Sequence, residues 1–69
     1  MKLSIPQQKL LAELYRSPHG VKVVDYYPPA KVLVRFGLAE WRQAANDYRL
    51  HATPAGIAEH EAQSGGPVA

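Results

Sequence analysis

Residues 28–56, PPAKVLVRFGLAEWRQAANDYRLHATPAG, contain the patterns that decide the fold of this chain. Pro28-Pro29 predicts the start of a helix, because proline presets the backbone angle φ to a helical value. Proline has no backbone N–H, and in the first turn of a helix this loses no hydrogen bond, because the N–H groups of that turn have no partner within the helix. Gly37 predicts the end of that helix, since glycine accepts the left-handed conformation that closes many helices. The segments 39–42 and 48–52 alternate with a period of two on either side of a polar tip, which predicts a two-stranded hairpin.

The apolar side chains of the hairpin predict its register. If Trp41 lies opposite Leu50, the strands leave a tip of about four residues, 44–47. Both side chains then face the core and pack against Leu33 and Phe36, which share one face of the preceding helix. The hairpin and this helix are therefore expected to form one packed unit.

Two further helices flank this unit. Ser4 and Gln7 form a capping box, which predicts a helix start, and the helix should end near Arg16 because Ser17 precedes a proline. Thr53-Pro54 predicts a closing helix, with threonine as the N-cap and proline as the first helical residue.

The closing helix is expected to bury Ile57, Ala58 and Ala62 on its apolar side. Residues 64–69, SGGPVA, are mostly small, which indicates a disordered tail. The folded domain is therefore predicted to span residues 1–63.

The segment between the first two helices decides the order of the elements. Val21 to Val24 is rich in β-branched residues, which favours a strand that pairs with the hairpin. This strand leaves no room for a full helix between Gly20 and Pro28. The predicted fold is α+β, in the order helix, strand, helix, strand, strand, helix, with three helices packed on a small antiparallel sheet.

The order of helix, Gly-Leu exit, hairpin and closing helix resembles the second half of a winged helix-turn-helix domain. The residues that carry the resemblance are LVRFGLAE at 33–40, YRL at 48–50 and TPAG at 53–56. Small bacterial and phage regulators of this superfamily show a similar L-x-x-x-G-L-x-x pattern followed by Y-x-L-T-x-x-G. The match covers a bit under half of the chain. The chain differs from the family pattern in one respect, since its second helix is predicted to be shortened or missing.

The resemblance implies a DNA-binding domain that acts in transcriptional regulation or in phage or prophage biology. Its recognition helix, at about residues 28–36, would lie in the major groove of duplex DNA. Its wing, residues 39–52, would contact phosphates.

Five residues are the candidate DNA contacts. Lys31 and Arg35 lie one turn apart on the helix face turned away from the core, where they would reach phosphates or a guanine edge, and Val34 between them would meet a thymine methyl group. Arg42 and Arg49 on the wing would contact backbone phosphates. An ordinary solvated face is the alternative interpretation for Lys31 and Arg35. For Arg42 and Arg49 the alternative is that hairpins often carry exposed arginines that protect a strand edge from pairing.

The charge distribution agrees with an anionic partner. All eight Lys and Arg residues lie within residues 2–49, where they face four carboxylates, so this segment carries a net charge of +4. From residue 53 onward the charged residues are Glu59 and Glu61, which give −2. A basic body with an acidic end suits an anionic partner on one face, and a solvated surface that happens to be slightly basic is the alternative.

A protein–protein interaction adaptor is the second function class that the sequence leaves open. It would use the Val34 face or the Tyr26-Tyr27 surface to bind another protein or a second copy of the chain. Adjacent tyrosines also serve as core residues that leave their hydroxyl groups in water.

The composition argues against an enzyme. A chain of 69 residues forms one domain with a modest core, which leaves no room for a deep substrate cavity and a catalytic constellation. Ser4, Ser17 and Ser64 lie at helix caps or in the tail, without a neighbouring base. We therefore expect no small-molecule substrate and no cofactor.

The same composition predicts the compartment. The chain has no cysteine, which excludes a disulfide framework and suits a reducing cytoplasm. His19, His51 and His60 lack the spacing of metal ligands, so no metal site is expected. No apolar run approaches the ~20 residues that a membrane span requires, so we expect a cytoplasmic protein without a membrane partner.

Overall fold

The elements follow one another in the order helix, helix, strand, strand, helix. The structure, a computed structural model, describes residues 3–44 and 46–63. Within these residues the two strands form one antiparallel sheet, and the elements are α1 (Ile5–Arg16), α2 (Pro28–Arg35), β1 (Ala39–Ala44), β2 (Asp47–Ala52) and α3 (Pro54–Gln63). The α+β class is confirmed. The predicted tail, residues 64–69, lies outside the described residues.

Helix α1 begins and ends where the sequence predicts. The Ser4 side chain accepts a hydrogen bond from the Gln7 N–H at 3.4 Å, and the Gln7 side chain accepts one from the Ser4 N–H at 3.0 Å. These two bonds form the predicted capping box and satisfy two N–H groups at the helix start. The helix ends at Arg16, and Ser17 follows it as the C-cap.

The exit from α2 is a Schellman motif centred on Gly37. Gly37 has a φ of 76°, and its N–H donates to the Val34 carbonyl at 3.0 Å. The Leu38 N–H reaches back to the Leu33 carbonyl at 2.9 Å. This pair of bonds, with both leucines buried, is the geometry by which a left-handed residue closes a helix. The predicted role of Gly37 is confirmed.

The hairpin has the predicted register but a shorter tip. Trp41 pairs with Leu50, and Ala39 pairs with Ala52. Pairing continues as far as Ala44 and Asp47, so the predicted tip of residues 44–47 is too long. Asp47, one of the polar residues that suggested a loop, is the first residue of β2 and forms an ion pair with Lys22 at 3.4 Å.

The strand predicted at Val21 to Val24 is wrong. Val21 forms a single bridge with Leu50, in which each residue donates its N–H to the carbonyl of the other at 2.9 Å. The chain then leaves the sheet and makes a turn, in which the Tyr27 N–H donates to the Val24 carbonyl at 3.2 Å. An extended segment forms a strand only where it pairs with a neighbouring strand. Here the turn before Pro28 leads the chain away from β2 after a single bridge. No helix forms in the described segment 21–27, as predicted.

One apolar cluster holds the elements together. Its buried members come from both sides of the fold and are Leu3, Leu10, Leu11, Leu14, Ala30, Leu33, Leu38, Ala39 and Leu50. Trp41 is only half-buried and packs against the edge of this cluster. Phe36, predicted in the core, is 46% exposed. It is the C-cap residue of α2.

Helix α3 approaches the α2 exit through backbone atoms. The Thr53 side chain accepts from the Gly56 N–H at 3.0 Å and donates to the Gly37 carbonyl at 2.6 Å. The Thr53 N–H donates to the Leu38 carbonyl at 3.1 Å. Gly56 is buried, and a Cβ added there would overlap the Leu38 carbonyl oxygen. The absence of a side chain at residue 56 therefore permits this contact.

The side of α3 predicted to be buried is largely exposed. Ile57, Ala58 and Ala62 are all exposed, so that prediction is wrong. The helix instead contacts α1 through a ring pair, Tyr15 and His60, whose centroids are 4.5 Å apart. The small residues of α3 gave little periodicity from which to choose a face.

We expect Gly56→Ala to destabilise the domain more than Gly37→Ala. At residue 56 the new methyl group must displace the backbone at Leu38, which we expect to cost about 3 kcal/mol. At residue 37 no atom of the described residues, its chain neighbours aside, lies within 4 Å of the new Cβ, so only the left-handed backbone is strained, at about 1 kcal/mol. Urea unfolding monitored by circular dichroism measures both, and equal losses would contradict the close contact.

Candidate nucleic-acid interface

A cleft lies between α2 and β1, and we call it the Trp41 cleft. It has a volume of about 470 Å³ and is lined by Asp25, Lys31, Val32, Val34, Arg35 and Trp41. Residues three and four positions apart are neighbours on a helix, so residues 31, 34 and 35 share one face of α2. The structure thus brings together the three candidate DNA contacts predicted on this helix.

Lys31 and Arg35 are the accessible cations of the Trp41 cleft. Both are exposed, and neither belongs to an ion pair formed among the described residues. Like charges at positions i and i+4 destabilise a helix by about 0.2–0.5 kcal/mol. Asp25 lines the same cleft but lies outside ion-pair distance of both cations. A bound anion would relieve this repulsion.

Val34 does not project freely from α2. It is half-buried and packs against the hydrophobic cluster while also lining the Trp41 cleft. The sequence placed it on the outward face together with the two cations. A substitution at Val34 would therefore change the core as well as the cleft, whereas Lys31 and Arg35 can be changed without disturbing the core.

Arg42 is accessible but already has a carboxylate partner. Its Nε donates to the Glu40 Oε2 at 2.7 Å, and its Nη2 contacts the same oxygen. Both side chains are exposed, so the pair contributes little to stability. The Glu40 carboxylate neutralises the charge of Arg42, which the sequence predicted to be a phosphate contact.

Arg49 is less accessible than the other three candidate cations, Lys31, Arg35 and Arg42. It is half-buried, and its Nε is shielded from solvent without a hydrogen-bond partner among the described residues. Its stem lies beside Gly20, since a Cβ added to that glycine would lie 2.9 Å from the Arg49 Cβ. Arg49 is also the direct cross-strand partner of Arg42, an arrangement that places like charges together.

The hairpin separates the five candidates into two groups. Successive residues of a strand point to opposite faces, so Arg42 and Arg49 lie on the face opposite to Trp41 and Leu50. The α2 group therefore lies beside the Trp41 cleft, and the wing group lies on the outer face of the hairpin.

Three residues of the cleft, Asp25, Val32 and Trp41, were not among the contacts predicted from the sequence. Trp41 was assigned to the centre of the core, although it lines the cleft, and Asp25 was assigned only to the turn before α2. The sequence signal that could have indicated a place for Trp41 in the cleft is its position on β1, the strand that directly follows α2 and its exposed cations Lys31 and Arg35.

The Tyr26-Tyr27 surface lies outside the Trp41 cleft. Tyr26 is 73% exposed, so it does not use its ring as a core residue. Tyr27 lines a second groove of about 680 Å³, which is formed by α1 and the segment 21–24 and contains Ile5 and Leu10. The apolar side chains of this groove fit the adaptor interpretation better than Val34 does.

His51 lies on the outer face of the hairpin, opposite Glu40 and beside the two wing arginines. Burial lowers the pKa of His51 below its ordinary value of 6.5, and the positive charges of Arg42, Arg49 and His19 lower it further, against the opposing effect of Glu40. The unfolded chain therefore takes up a proton at this residue at a higher pH than the folded domain does.

We expect the free energy of unfolding to fall as the pH drops below 6.5. The contribution of His51 is fully present above its unfolded pKa and is lost as the pH falls through its lower folded pKa. His51→Gln should weaken this acid dependence, whereas His19→Gln, at an exposed position, should retain most of it. Urea unfolding at a series of pH values compares the three proteins, and identical slopes for wild type and His51→Gln would contradict the prediction.

Among residues 3–44 and 46–63, no three His, Cys, Asp or Glu side chains are grouped as metal ligands would be. None of the helices in the described part of the chain combines the length and the hydropathy that a bilayer span needs.

Comparison with known proteins returned no relative. No family model, no curated protein and no solved structure matches this chain. The chemistry of the Trp41 cleft and of the hairpin is therefore the basis on which a function can be proposed.

Proposed function

We propose that this domain binds duplex DNA in the manner of a winged helix, with α2 in the major groove and the hairpin against adjacent phosphates, in transcriptional control or phage biology. The observation that carries the proposal is the pair Lys31 and Arg35, exposed on one face of α2 without an ion pair among the described residues. Arginine and lysine on a helix face are the side chains that contact phosphates and guanine edges.

The position of α2 supports this use. With its side chains an α-helix is about 10–12 Å across, and the major groove, which is about 12 Å wide, admits it. The inner face of α2 is fixed by Ala30 and Leu33, which share the buried cluster with the leucines of α1. Helix α1 therefore braces α2 directly, in place of the helix that a winged-helix domain usually carries between them.

The ion pairs of the hairpin limit the number of phosphate contacts. Arg42 pairs with Glu40, and Lys22 pairs with Asp47 at 3.4 Å. Arg49 is half-buried. If Lys31, Arg35 and Arg42 each neutralise one phosphate, the slope of log K against log salt is about −2.7, against about −3.6 for the four cations that the sequence suggested.

We expect the double substitution Lys31→Ala/Arg35→Ala to weaken duplex binding at least tenfold. It removes two phosphate contacts, so the salt slope should become shallower by about 2. The matched control is Lys9→Ala/Arg16→Ala, which removes the same charge from exposed positions of α1. Fluorescence anisotropy of a labelled duplex over a salt series measures both. Equal losses in the two variants would show that binding follows net charge alone.

We also expect Glu40→Gln to tighten duplex binding several-fold. The change removes the carboxylate that neutralises Arg42 and so frees its guanidinium for a phosphate. Glu13→Gln is the control, because it makes the same charge change at an exposed position of α1. The measurement is the same anisotropy titration at low salt. An equal gain from both variants would mean that Arg42 does not contact the DNA.

Protein binding through the Tyr26-Tyr27 surface is the second candidate function. The observation that favours it is the exposure of Tyr26 beside the apolar groove lined by Tyr27 and Ile5. The alanine variants of Lys31 and Arg35 separate the two functions, because they leave this surface unchanged. A domain that acts only through the tyrosine surface would show no DNA affinity that depends on these two cations.

A further inference from the structure

We propose that the Trp41 cleft binds an unpaired nucleotide of a nucleic-acid strand, with its base stacked on Trp41 and its flanking phosphates on Lys31 and Arg35. The inference rests on the proposed use of these two cations as phosphate contacts. It adds a ligand feature that duplex binding does not require, since a base inside a duplex has both faces covered and must be unpaired or extruded to stack on a protein ring.

The cleft has the size and lining of a base site. Its volume of about 470 Å³ lies within the roughly 300–1,000 Å³ typical of small-ligand sites. Its apolar lining comes from Val32, Val34 and Trp41, and two exposed cations line it from α2. Aromatic side chains next to positive charge are the combination by which proteins hold single strands.

Trp41 is well placed to stack on a base. It is half-buried, and it both packs against the hydrophobic cluster and lines the cleft. It lies on β1, and the Schellman exit from α2 leads into this strand within a few residues. The ring and the two cations therefore belong to consecutive elements whose relative position is fixed.

Asp25 predicts which bases the cleft prefers. A carboxylate repels phosphate, so its presence in a purely phosphate-binding cleft would be unfavourable. A carboxylate does accept hydrogen bonds from an exocyclic amine, as on N4 of cytosine, whereas thymine offers a carbonyl oxygen at that position. The cleft is therefore expected to bind cytosine more tightly than thymine.

The test uses Trp41 as its own reporter, since it is the single tryptophan of the chain. The probes are single-stranded oligomers of equal length that consist of dC, of dT or of abasic sites. We expect the dC oligomer to quench the fluorescence of Trp41, the abasic oligomer to leave it unchanged, and dC to bind about tenfold more tightly than dT. Equal binding of dC and abasic oligomers without quenching would overturn the inference.

Two substitutions separate stacking from folding. Trp41→Leu keeps an apolar side chain against the core and removes the ring, and we expect a loss of dC affinity of about tenfold or more. Trp41→Phe keeps a ring and should retain most of the affinity. The matched control is Tyr48→Leu, which removes a 62% exposed ring from β2 outside the cleft. Anisotropy with a labelled dC oligomer measures all three, and equal losses for Trp41→Leu and Tyr48→Leu would overturn the inference.

The base preference has a separate test in Asp25→Asn. An amide accepts from the cytosine amine and also donates to the thymine oxygen, so the ratio of dC to dT affinity should fall from about tenfold to near one. An unchanged ratio would remove Asp25 from the site.

The outcomes distinguish this inference from the proposed function. If duplex DNA binds through Lys31 and Arg35 but the dC oligomer binds no better than the abasic one, the inference fails and the duplex proposal stands. If the dC oligomer quenches Trp41 while duplex DNA does not bind, the inference stands and the duplex proposal fails. If neither ligand binds at low salt, both fail.

Discussion

The close approach of α3 to the exit of α2 is the contact on which the rest of the structure depends. At Leu38 one residue closes the Schellman motif with its N–H, accepts from Thr53 with its carbonyl and enters the core with its side chain. Gly56 lies against the same carbonyl. A domain with one small core has few ways to fix its elements, so this junction sets the positions of α2, the hairpin and α3 together.

Local backbone rules account for what the sequence predicted well. The capping box at Ser4, the left-handed Gly37 and the pairing of Trp41 with Leu50 each depend on residues that are close in the chain. The failures involve residues whose partners lie elsewhere. Val21 to Val24 has the composition of a strand, but the turn that leads into α2 permits only one bridge to β2. The buried side of α3 could not be predicted from apolar side chains, because the buried residue of this helix is Gly56, which lies against the Leu38 carbonyl.

In the candidate site too, local features were predicted from the sequence and contacts between side chains were not. The exposure of Lys31 and Arg35 followed from helical periodicity, and the structure agrees with it. The pairing of Arg42 with Glu40 was not predicted, because residues two apart on a strand share a face but their side chains need not meet. The role of Trp41 was missed for a different reason. A large apolar side chain in a short strand suggests core, and only the structure shows that it lies at the edge of the cluster beside a charged cleft.

The ion pairs among the described residues involve cations near the hairpin and leave Lys31 and Arg35 of α2 unpaired. Lys22 is paired with Asp47 and Arg42 with Glu40, so two of the cations around the hairpin have carboxylates within 4 Å. The acidic end of the chain is used elsewhere, since Glu61 accepts from the Tyr15 hydroxyl at 3.1 Å and thereby raises the pKa of that tyrosine. Helix α3 packs on α1 and β2, whereas the Trp41 cleft is formed by α2 and β1. A chain with a net charge of only +2 can therefore present Lys31 and Arg35 as a local anion site, because Glu40, Asp47 and Glu61 are held by other partners.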